Sequence, residues 1–317
     1  VSIRGNKLNG NNYIAHAISK GAKVIIYSGK IKKNVKSVFI KVKDTRNTLA
    51  KLSSKYYKNK PKNLVAVTGT NGKTSIADFF CQIFYLQKKN SGFIGTLGLK
   101  KNRSLKKRNL TTLDSLTLNK DLKEMKDNKI NNVIIEASSH GLKQKRLNFL
   151  KIKTGIFTNL SHDHLDYHKN MNDYFHSKLL LFKKLLSNNG NIITDTDIKQ
   201  YSTLKKIQNK RKLKIFTIGS KSKTFKILNH NIHKNFQTLD IIWKGKIFKL
   251  KINLYGSIQI KNLFMAILAS NLCGIKMENI FQKIEKIKNV NGRLELIKIF
   301  PNQSRVFLDY AHTPDAL

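Results

Sequence analysis

Two glycines followed by a lysine and a threonine carry the clearest chemistry in the chain. An apolar run ends at Val67, Gly69 and Gly72 follow, and Lys73 and Thr74 begin a helix-like sequence. Glycines let backbone N–H groups approach phosphate oxygens, and a helix N-terminus adds partial positive charge. The lysine can reach the outer phosphates of a nucleotide, and the threonine hydroxyl can bind Mg²⁺. This order predicts a phosphate-binding loop, although Val67 stands where the usual eight-residue P-loop pattern begins with glycine.

Two further segments place metal- and proton-handling side chains after strand-like runs. Glu136 ends one apolar run, and a second is followed at 162–168 by three histidines and two aspartates. Because ligands collect at the carboxyl ends of parallel strands, we expect Glu136 to hold Mg²⁺ near the phosphate loop. The spacing does not match a structural zinc site, and the donors suit Mg²⁺ near a triphosphate. The alternatives are a carboxylate in a turn and a loop that is rich in histidine by chance.

The elements that must position these residues predict an α/β fold. We expect a P-loop-type central domain whose mostly parallel sheet carries helices on both faces. Strand-like runs alternate with helix-like segments at 132–136, 154–158, 191–194 and 214–218. Residues 224–254 alternate as an antiparallel segment does, and 260–273 is a strongly apolar helix. Such a fold would bring the strand ends to one edge of the sheet.

Three units are expected along the chain. They are a small N-terminal α/β domain at 1–44, the central domain at 45–288, and the start of a Rossmann-like C-terminal domain at 289–317. A helix at 45–57 leads into the central domain and places Leu49, Leu52 and Tyr56 on one face. The first unit is therefore expected to meet the central domain through this helix.

The net charge of +43 raises the question of a nucleic-acid partner. The lysines are spread along the whole chain, and lysine, asparagine and isoleucine are abundant together, as an A+T-rich coding sequence would produce. We therefore expect a solvated lysine surface that attracts anionic ligands and no specific nucleic-acid site. A basic nucleic-acid-binding ATPase is the alternative from another functional class.

The remaining composition predicts a cytoplasmic protein without a membrane span. No run of 18 apolar residues occurs, whereas a membrane-spanning helix would need about that length. The only cysteines, Cys81 and Cys273, stand in apolar helix-like contexts. A disulfide framework is therefore not expected, which fits a reducing compartment. We also expect a monomer.

Five segments together resemble the Mur ligase family, in the order in which that family has them. They are Val67-Thr-Gly-Thr-Asn-Gly-Lys-Thr, Glu136-Ala-Ser-Ser-His-Gly-Leu, Thr158-Asn-Leu-Ser-His-Asp-His-Leu-Asp-Tyr-His, Gly292-Arg-Leu-Glu and Asp309-Tyr-Ala-His-Thr-Pro-Asp-Ala-Leu. The second and third segments most resemble the member that adds the third residue of the peptidoglycan stem peptide. The resemblance covers essentially the whole chain.

The resemblance implies an ATP- and Mg²⁺-dependent ligase with three domains. The first would bind the UDP end of the substrate, the second ATP, and the third the incoming amino acid. The ATP γ-phosphate would pass to the D-Glu carboxylate of UDP-MurNAc-L-Ala-D-Glu, and a diamino acid would attack the acyl phosphate. The alternative within the superfamily is another Mur ligase or a folylpolyglutamate synthetase.

The resemblance also implies roles for individual residues. The nucleotide would be bound by Gly69, Thr70, Asn71, Gly72, Lys73, Thr74, Asn262, Arg293 and Asp309. The UDP-muramoyl-peptide would be bound by Asn6, Lys7, Leu8, Thr111, Thr112, Ser138, Gln144 and Arg146. Metal ligands would be Thr74, Glu136, His164 and a carbamylated Lys178, and the catalytic residues would be Lys73, His164 and Lys178.

Three departures from the family pattern accompany the resemblance. Leu113 stands where many relatives have proline after the two threonines. Gln259 stands where the family commonly has asparagine. The family's Asp-Ser-Arg uridine motif would precede Val1, and most of its third domain, with an Asp-Asn-Pro-Arg motif, would follow Leu317. We therefore expect a fragment that binds nucleotide without completing ligation.

Overall fold

An eight-stranded sheet forms the centre of the structure, a computed structural model that describes residues 1–5, 8–31, 37–102 and 104–313. The strands are β1 Val24–Tyr27, β2 Val38–Lys41, β3 Asn63–Thr68, β4 Gly92–Gly95, β5 Gly98–Lys101, β6 Ser104–Lys106, β7 Asn132–Glu136, β8 Ile152–Phe157, β9 Leu186–Asp195, β10 Lys214–Ile218, β11 Phe225–Ile232, β12 Gln237–Trp243, β13 Lys246–Ile252, β14 Glu295–Ile299 and β15 Arg305–Leu308. The helices are α1 Ile14–Ser19, α2 Thr45–Tyr56, α3 Lys73–Leu86, α4 Ser115–Asp127, α5 Ser139–Lys143, α6 Met171–Leu180, α7 Tyr201–Arg211, α8 Ser257–Leu272 and α9 Met277–Phe281. Short 3₁₀ turns lie at Gly10–Tyr13 and Ile284–Lys286, and a π-helical turn at Leu181–Leu185 continues α6.

Strand β3 lies where the order of the central sheet reverses. The order is β10-β9-β8-β3-β7-β4-β5-β6, with parallel pairing from β10 through β4 and antiparallel pairing of β5 and β6. The chain builds β4 and β7 on one side of β3 and then β8, β9 and β10 on the other. Ligands of open α/β sheets bind at such a switch point, and the predicted phosphate loop follows β3 directly.

The alternation of side chains along β3 gives the sheet two buried faces. Val65 and Val67 belong to a hydrophobic cluster that includes α3 and α8, whereas Leu64 and Ala66 belong to a second cluster that includes α4. A period of two along a strand produces this division. The prediction of a mostly parallel sheet with helices on both faces is confirmed.

Three short strands, two of which contain glycine, extend one edge of the sheet in a way that the sequence pattern did not indicate. Strands β4, β5 and β6 run through residues 92–106. Each is too short to show a hydrophobic period, and glycine is disfavoured in strands. Conversely, the predicted antiparallel segment is present as β11, β12 and β13, and Phe225 of β11 packs with its ring centroid 5.4 Å from that of Phe264 on α8.

The N-terminal unit has a small core of its own, and it is followed by α2. Strands β1 and β2 pair in parallel beside Ile14. The apolar face of α2 is not its buried face, because Leu52 is 42% and Tyr56 79% exposed. The buried side chains of α2 include Ala50 and Ser53 instead. Small residues allow the close packing of α2 on α4. The domain boundaries at 44 and 288 stay predictions.

Asp44 carries a testable part of this junction. Its carboxylate caps α2 by accepting the Asn47 N–H at 2.9 Å and also pairs with Lys145. Burial alone would raise the pKa of Asp44, but the backbone hydrogen bond and Lys145 outweigh it and lower that pKa. We expect Asp44→Ala to lower the free energy of unfolding by about 1 kcal/mol, measured by urea denaturation at neutral pH.

The Asp44 contribution has a defined pH dependence and a matched control. Because the pKa is lowered on folding, the stabilisation is full above the usual value of 3.8 and is lost as the pH falls through the lowered value. Asp44→Asn keeps the cap and removes the charge, so it should cost less than Asp44→Ala. Equal losses for the two variants would show that the cap contributes nothing.

Within the described parts of the chain, none of the helices combines the length and apolar character needed to span a bilayer.

Candidate active site

Residues from distant parts of the chain line one cleft of about 600 Å³ at the carboxyl end of β3. A volume of this size is typical of small-molecule sites. The predicted residues that line it are Thr70, Asn71, Gly72, Lys73, Thr74, Thr111, Glu136, Ser138, His164, Lys178, Asn262, Arg293 and Asp309. The structure therefore brings the predicted phosphate, metal and nucleotide residues together.

The two glycines of the phosphate loop are required by close approach of neighbouring side chains. At Gly69 the backbone has φ +149°, and a Cβ atom would lie 1.8 Å from the Thr158 hydroxyl oxygen. At Gly72 the backbone has φ +86°, and a Cβ atom would lie 2.4 Å from Oδ1 of Asn262. Both positions therefore admit only glycine without movement of the surrounding segments.

The end of β8 holds the phosphate loop in place. The Thr158 hydroxyl donates to the Asn71 carbonyl oxygen at 2.6 Å, and the Asn71 N–H donates to Oδ1 of Asn159 at 2.8 Å. On the other side, the hydroxyls of Thr70 and Tyr174 lie 3.2 Å apart. The loop is thus fixed by side chains that arrive from β8 and α6, which favours a preorganised anion site.

Lys73 begins α3 and folds back over the loop. Its ammonium donates to the carbonyl oxygens of Gly69 at 3.0 Å and Thr70 at 2.6 Å. Burial lowers the pKa of Lys73, while the charges of Glu136 and Asp163 oppose that shift. The ammonium therefore lies at the mouth of the loop, held by neutral carbonyls that a phosphate oxygen can replace as a stronger, charged acceptor.

Glu136 is fully buried beneath the loop and is held by two threonines. Its Oε1 accepts the Thr74 hydroxyl at 3.1 Å and the Thr96 N–H at 3.0 Å, and its Oε2 accepts the Thr96 hydroxyl at 3.0 Å. Burial raises the pKa of Glu136, and Lys73 and the hydrogen bonds oppose that change. The sequence did not identify Thr96 as a site residue. Its position after a strand could have marked it, but that strand, β4, was not predicted.

The chemistry of these donors fits Mg²⁺ bound together with a nucleotide. Thr74 and Glu136 offer adjacent hydroxyl and carboxylate oxygens below the phosphate loop. Mg²⁺ is usually held by one or two protein oxygens, waters and substrate phosphates rather than by an all-protein cage.

Lys178 of α6 is the most deeply buried cation of the cleft, with 1% of its surface exposed. Its Nζ donates to the Gly69 carbonyl oxygen at 2.7 Å and lies 4.2 Å from the centroid of the Tyr174 ring. Burial and the charge of Lys73 lower the pKa of Lys178 well below its ordinary value, against the opposing charge of Asp163. The structure thus shifts Lys178 away from its charged form, because burial and a neighbouring cation both oppose protonation.

His164 lies at the exposed rim of the same cleft. Its backbone adopts φ +56°, and its Nε2 lies 3.4 Å from Oδ2 of Asp163. The ring centroid is 5.0 Å from that of His140. Burial lowers the pKa of His164, and Asp163 opposes that shift. Asp163 also lines the cleft, so the histidine-rich segment contributes a carboxylate that the sequence analysis did not select.

The predicted nucleotide residues near the C-terminus form a compact group around Asp309. The Asp309 carboxylate accepts the N–H groups of Leu294 and Ala311, both at 2.6 Å. Arg293 lies with its Cζ 4.5 Å from the centroid of the Tyr310 ring. Burial lowers the pKa of Arg293, and the charges of Glu136 and Asp309 oppose that change. Asp309 therefore organises the backbone that presents Arg293 to the cleft.

Asn262 faces the loop from α8. Its Nδ2 donates to Oε1 of Gln259 at 3.3 Å, and both side chains are about 5% exposed. Gln259, the departure from the family pattern, therefore supports Asn262 in place.

The predicted substrate residues do not all reach the cleft. Thr111 and Ser138 line it, while the Thr112 hydroxyl donates to the Glu136 carbonyl oxygen at 2.7 Å underneath. Gln144 and Arg146 lie outside the cleft lining, although Arg146 donates to the Thr112 carbonyl. Leu8 is 65% exposed and also lies outside the lining. The predicted Asn6 and Lys7 fall outside the described residues.

Comparison with known proteins matches this arrangement to one family. A family model described as the Mur ligase middle domain matches residues 67–270. The "UDP-N-acetylmuramoyl-L-alanyl-D-glutamate--2,6-diaminopimelate ligase" of Rickettsia rickettsii is 35% identical over 100% of this chain and 66% of the relative. The protein of the same name from Rhizobium meliloti is 33% identical over 100% of this chain and 65% of the relative. The chain thus spans about two thirds of the length of these relatives.

Solved structures agree with the sequence comparison. A "UDP-N-acetylmuramoyl-L-alanyl-D-glutamate--2,6-diaminopimelate ligase" superposes with a TM-score of 0.83 and 27% identity, covering 97% of this chain and 63% of that one. The apo form of L. casei FPGS superposes with a TM-score of 0.69 over 86% of this chain and 72% of that one, but its 14% identity speaks for the fold alone. With a Mur ligase middle domain matched over residues 67–270, which include its phosphate loop, Glu136 and Lys178, the chain belongs to the Mur ligase family.

Proposed function

We propose that this chain belongs to an ATP-dependent ligase that joins a diamino acid to UDP-MurNAc-L-Ala-D-Glu through an acyl phosphate. The observation that carries the proposal is the single cleft in which the phosphate loop, Glu136 and Lys178 meet the substrate-side residues Thr111 and Ser138. The names of the relatives support 2,6-diaminopimelate as the incoming diamino acid. A cytoplasmic location follows from the same reaction, because ATP supplies its energy.

The residues of the cleft fit a transfer between two anions. The loop N–H groups and Lys73 would bind the triphosphate, with Asn262 and Arg293 on the nucleotide side. Thr74 and Glu136 would hold Mg²⁺, which when bound would neutralise charge between the reacting groups. Phosphoryl transfer depends on this positioning and charge neutralisation more than on covalent help from the protein.

The proposed reaction needs three reactants, which are ATP, the muramoyl dipeptide and the diamino acid. A carboxylate oxygen of D-Glu would attack the γ-phosphorus, and the bond to the β-phosphate oxygen would break to release ADP. The neutral amine of the diamino acid would then attack the acyl carbon, phosphate would leave, and the amine would lose a proton. Thr111 and Ser138, which line the cleft, would orient the accepting carboxylate beside the phosphate loop.

We further propose that Lys178 is carbamylated. The neutral amine that its burial and the charge of Lys73 favour is the form that attacks CO₂. A nitrogen–carbon bond would form, one carbon–oxygen π bond would break, and a proton would pass to solvent. The product would be an anion in a cleft that also holds the cations Lys73 and Arg293, and it could act as a further metal ligand, with His164 at the rim.

Carbamylation of Lys178 is testable by nuclear magnetic resonance with ¹³C-bicarbonate. We expect a carbamate signal in the wild-type chain and its loss in Lys178→Gln, because the remaining lysines are mostly exposed, whereas burial disfavours the charged form of Lys178. Lys183→Gln, which replaces an exposed lysine just after α6, is the matched control and should keep the signal. A signal that survives Lys178→Gln would arise from another amine, and it would contradict carbamylation of Lys178.

A ligand panel tests the proposed function itself. Isothermal titration should show that the chain binds a non-hydrolysable ATP analogue with Mg²⁺ and, separately, UDP-MurNAc-L-Ala-D-Glu. Folate in place of the muramoyl dipeptide tests the folylpolyglutamate alternative, and single-stranded DNA against heparin tests the nucleic-acid alternative. Binding of folate without the muramoyl dipeptide, or DNA binding far tighter than heparin binding, would reject the proposal.

A further inference from the structure

Two arginines meet at one amide oxygen between α2 and the segment that follows α5. Arg46 donates through Nη1 to Oε1 of Gln144 at 3.2 Å, and Arg146 donates to the same oxygen through Nε at 3.1 Å and Nη2 at 2.8 Å. An amide oxygen has two lone pairs, so three N–H donors exceed what it can satisfy. Two positive groups therefore share one neutral acceptor.

Backbone contacts fix both guanidinium groups in this arrangement. Arg46 donates through Nη2 to the Arg4 carbonyl oxygen at 3.0 Å, and Arg146 donates through Nη1 to the Thr112 carbonyl. Gln144 is oriented in turn, because its Nε2 donates to the Tyr167 hydroxyl at 3.2 Å. Contacts within the protein thus hold the two planar groups together, which lowers the entropy cost of binding a ligand between them.

The nearby carboxylates are engaged elsewhere. Asp44 pairs with Lys145 and caps α2. Asp114 attracts Arg146, yet its Oδ1 accepts the N–H groups that begin α4 at 2.9 and 3.1 Å. Among the described residues neither Arg46 nor Arg146 forms an ion pair with a carboxylate.

A paired arginine in the same chain looks different. Nη2 of Arg108 lies 2.7 Å from both carboxylate oxygens of Asp121. The guanidiniums of Arg46 and Arg146 lack such a partner, and burial together with the charge of Arg46 lowers the pKa of Arg146. Like charges held this close are stabilised when an anion binds between them.

The position of the pair suggests which anion it takes. Arg46 touches the N-terminal unit through Arg4, and Arg146 touches the segment of Thr111 and Thr112 beside the cleft. We propose that Arg46 joins Arg146 in binding an oxyanion of the UDP-muramoyl-peptide substrate, at a subsite between the N-terminal unit and the central domain. The inference rests on the proposed function for its substrate, and it adds Arg46 as a binding residue.

Titration of UDP-MurNAc-L-Ala-D-Glu into variants of the chain tests the role of Arg46. We expect Arg46→Ala to weaken binding about ten- to hundredfold, as loss of a charged hydrogen bond does. The affinity of Arg46→Lys should lie between those of the wild type and Arg46→Ala, because lysine keeps the positive charge and lacks the planar group with several donors. Lys51→Ala removes one charge from an exposed position on the same helix and should bind as the wild type does.

A second titration separates binding from a merely structural role. Arg46→Ala should leave the affinity for the ATP analogue and the thermal unfolding midpoint close to wild type. A parallel loss for both ligands would mean that Arg46 only holds the N-terminal unit in place, and it would overturn the inference. Unchanged substrate affinity in Arg46→Ala would overturn the inference and leave the proposed function standing. A wild-type chain that does not bind the substrate would overturn both.

Two shortened ligands identify the source of the oxyanion. UDP-GlcNAc keeps the pyrophosphate and has no carboxylate, while MurNAc-L-Ala-D-Glu keeps the carboxylates and lacks the pyrophosphate. If the subsite binds a carboxylate, the effect of Arg46→Ala should vanish with the first ligand and persist with the second. The reverse pattern would assign the pyrophosphate. An equal effect on both ligands would contradict a defined subsite.

Discussion

Replacing Lys73 with alanine is expected to weaken binding of an ATP analogue with Mg²⁺ about ten- to hundredfold. In the structure the Lys73 ammonium donates to the neutral carbonyls of Gly69 and Thr70, and a phosphate oxygen offers a stronger, charged acceptor. The variant removes that charge-assisted contact and leaves the backbone N–H groups of the loop. Isothermal titration at fixed Mg²⁺ measures the change.

The matched control for this variant lies just beyond the other end of the same helix. Lys89→Ala removes an equal charge from an exposed residue after α3 and should leave the affinity unchanged. If both variants bind as the wild type does, the phosphate loop does not take the nucleotide. If both weaken binding equally, the long-range field of the basic chain, and no local contact, is responsible.

The second large effect is expected from Gly69→Ala, which should lower the free energy of unfolding by about 2–4 kcal/mol. A Cβ atom at this position would lie 1.8 Å from the Thr158 hydroxyl oxygen, and the backbone has φ +149°. Relief requires movement of β8 or of the loop, so nucleotide binding should be lost as well. Urea denaturation and nucleotide titration together measure the outcome.

Gly274→Ala separates the collision from the cost of the backbone conformation. Gly274 ends α8 with φ +99°, and an added Cβ there would meet no atom within 4 Å. It should therefore cost only about 1 kcal/mol, the penalty of a left-handed conformation for alanine. Similar losses for the two variants would show that the contact with Thr158 is relieved without cost.

Local chemistry explains which parts of the fold could be predicted. Strands at 132–136 and 214–218 were predicted to the residue because each is an apolar run with clear ends. The apolar residues of α2 did not indicate which of its faces is buried, since Leu52 and Tyr56 face solvent while Ala50 packs inside. The spacing of apolar residues along a helix indicates which face is apolar. Which face is buried depends on the element that packs against the helix.

The candidate site shows the same difference between local and long-range signals. The location of the phosphate loop and of Glu136 could be predicted, because each lies in a contiguous motif. Thr96 follows a strand too short to recognise, and Arg46 meets Gln144 across 98 residues of sequence. Neither contact has a local signal, because each arises from the packing of separate elements. Whether the predicted substrate residues bind substrate stays a prediction that the titrations address.

One carbonyl group connects the two lysines of the cleft. Lys73 and Lys178 both donate to the Gly69 oxygen, at 3.0 and 2.7 Å. A change at either amine would therefore alter the hydrogen bond that the other makes to this oxygen, so the proposed nucleotide binding by Lys73 and the proposed carbamylation of Lys178 would be coupled. Thermodynamic reciprocity would then fix their relation: the factor by which carbamylation changed nucleotide affinity would equal the factor by which nucleotide changed the extent of carbamylation.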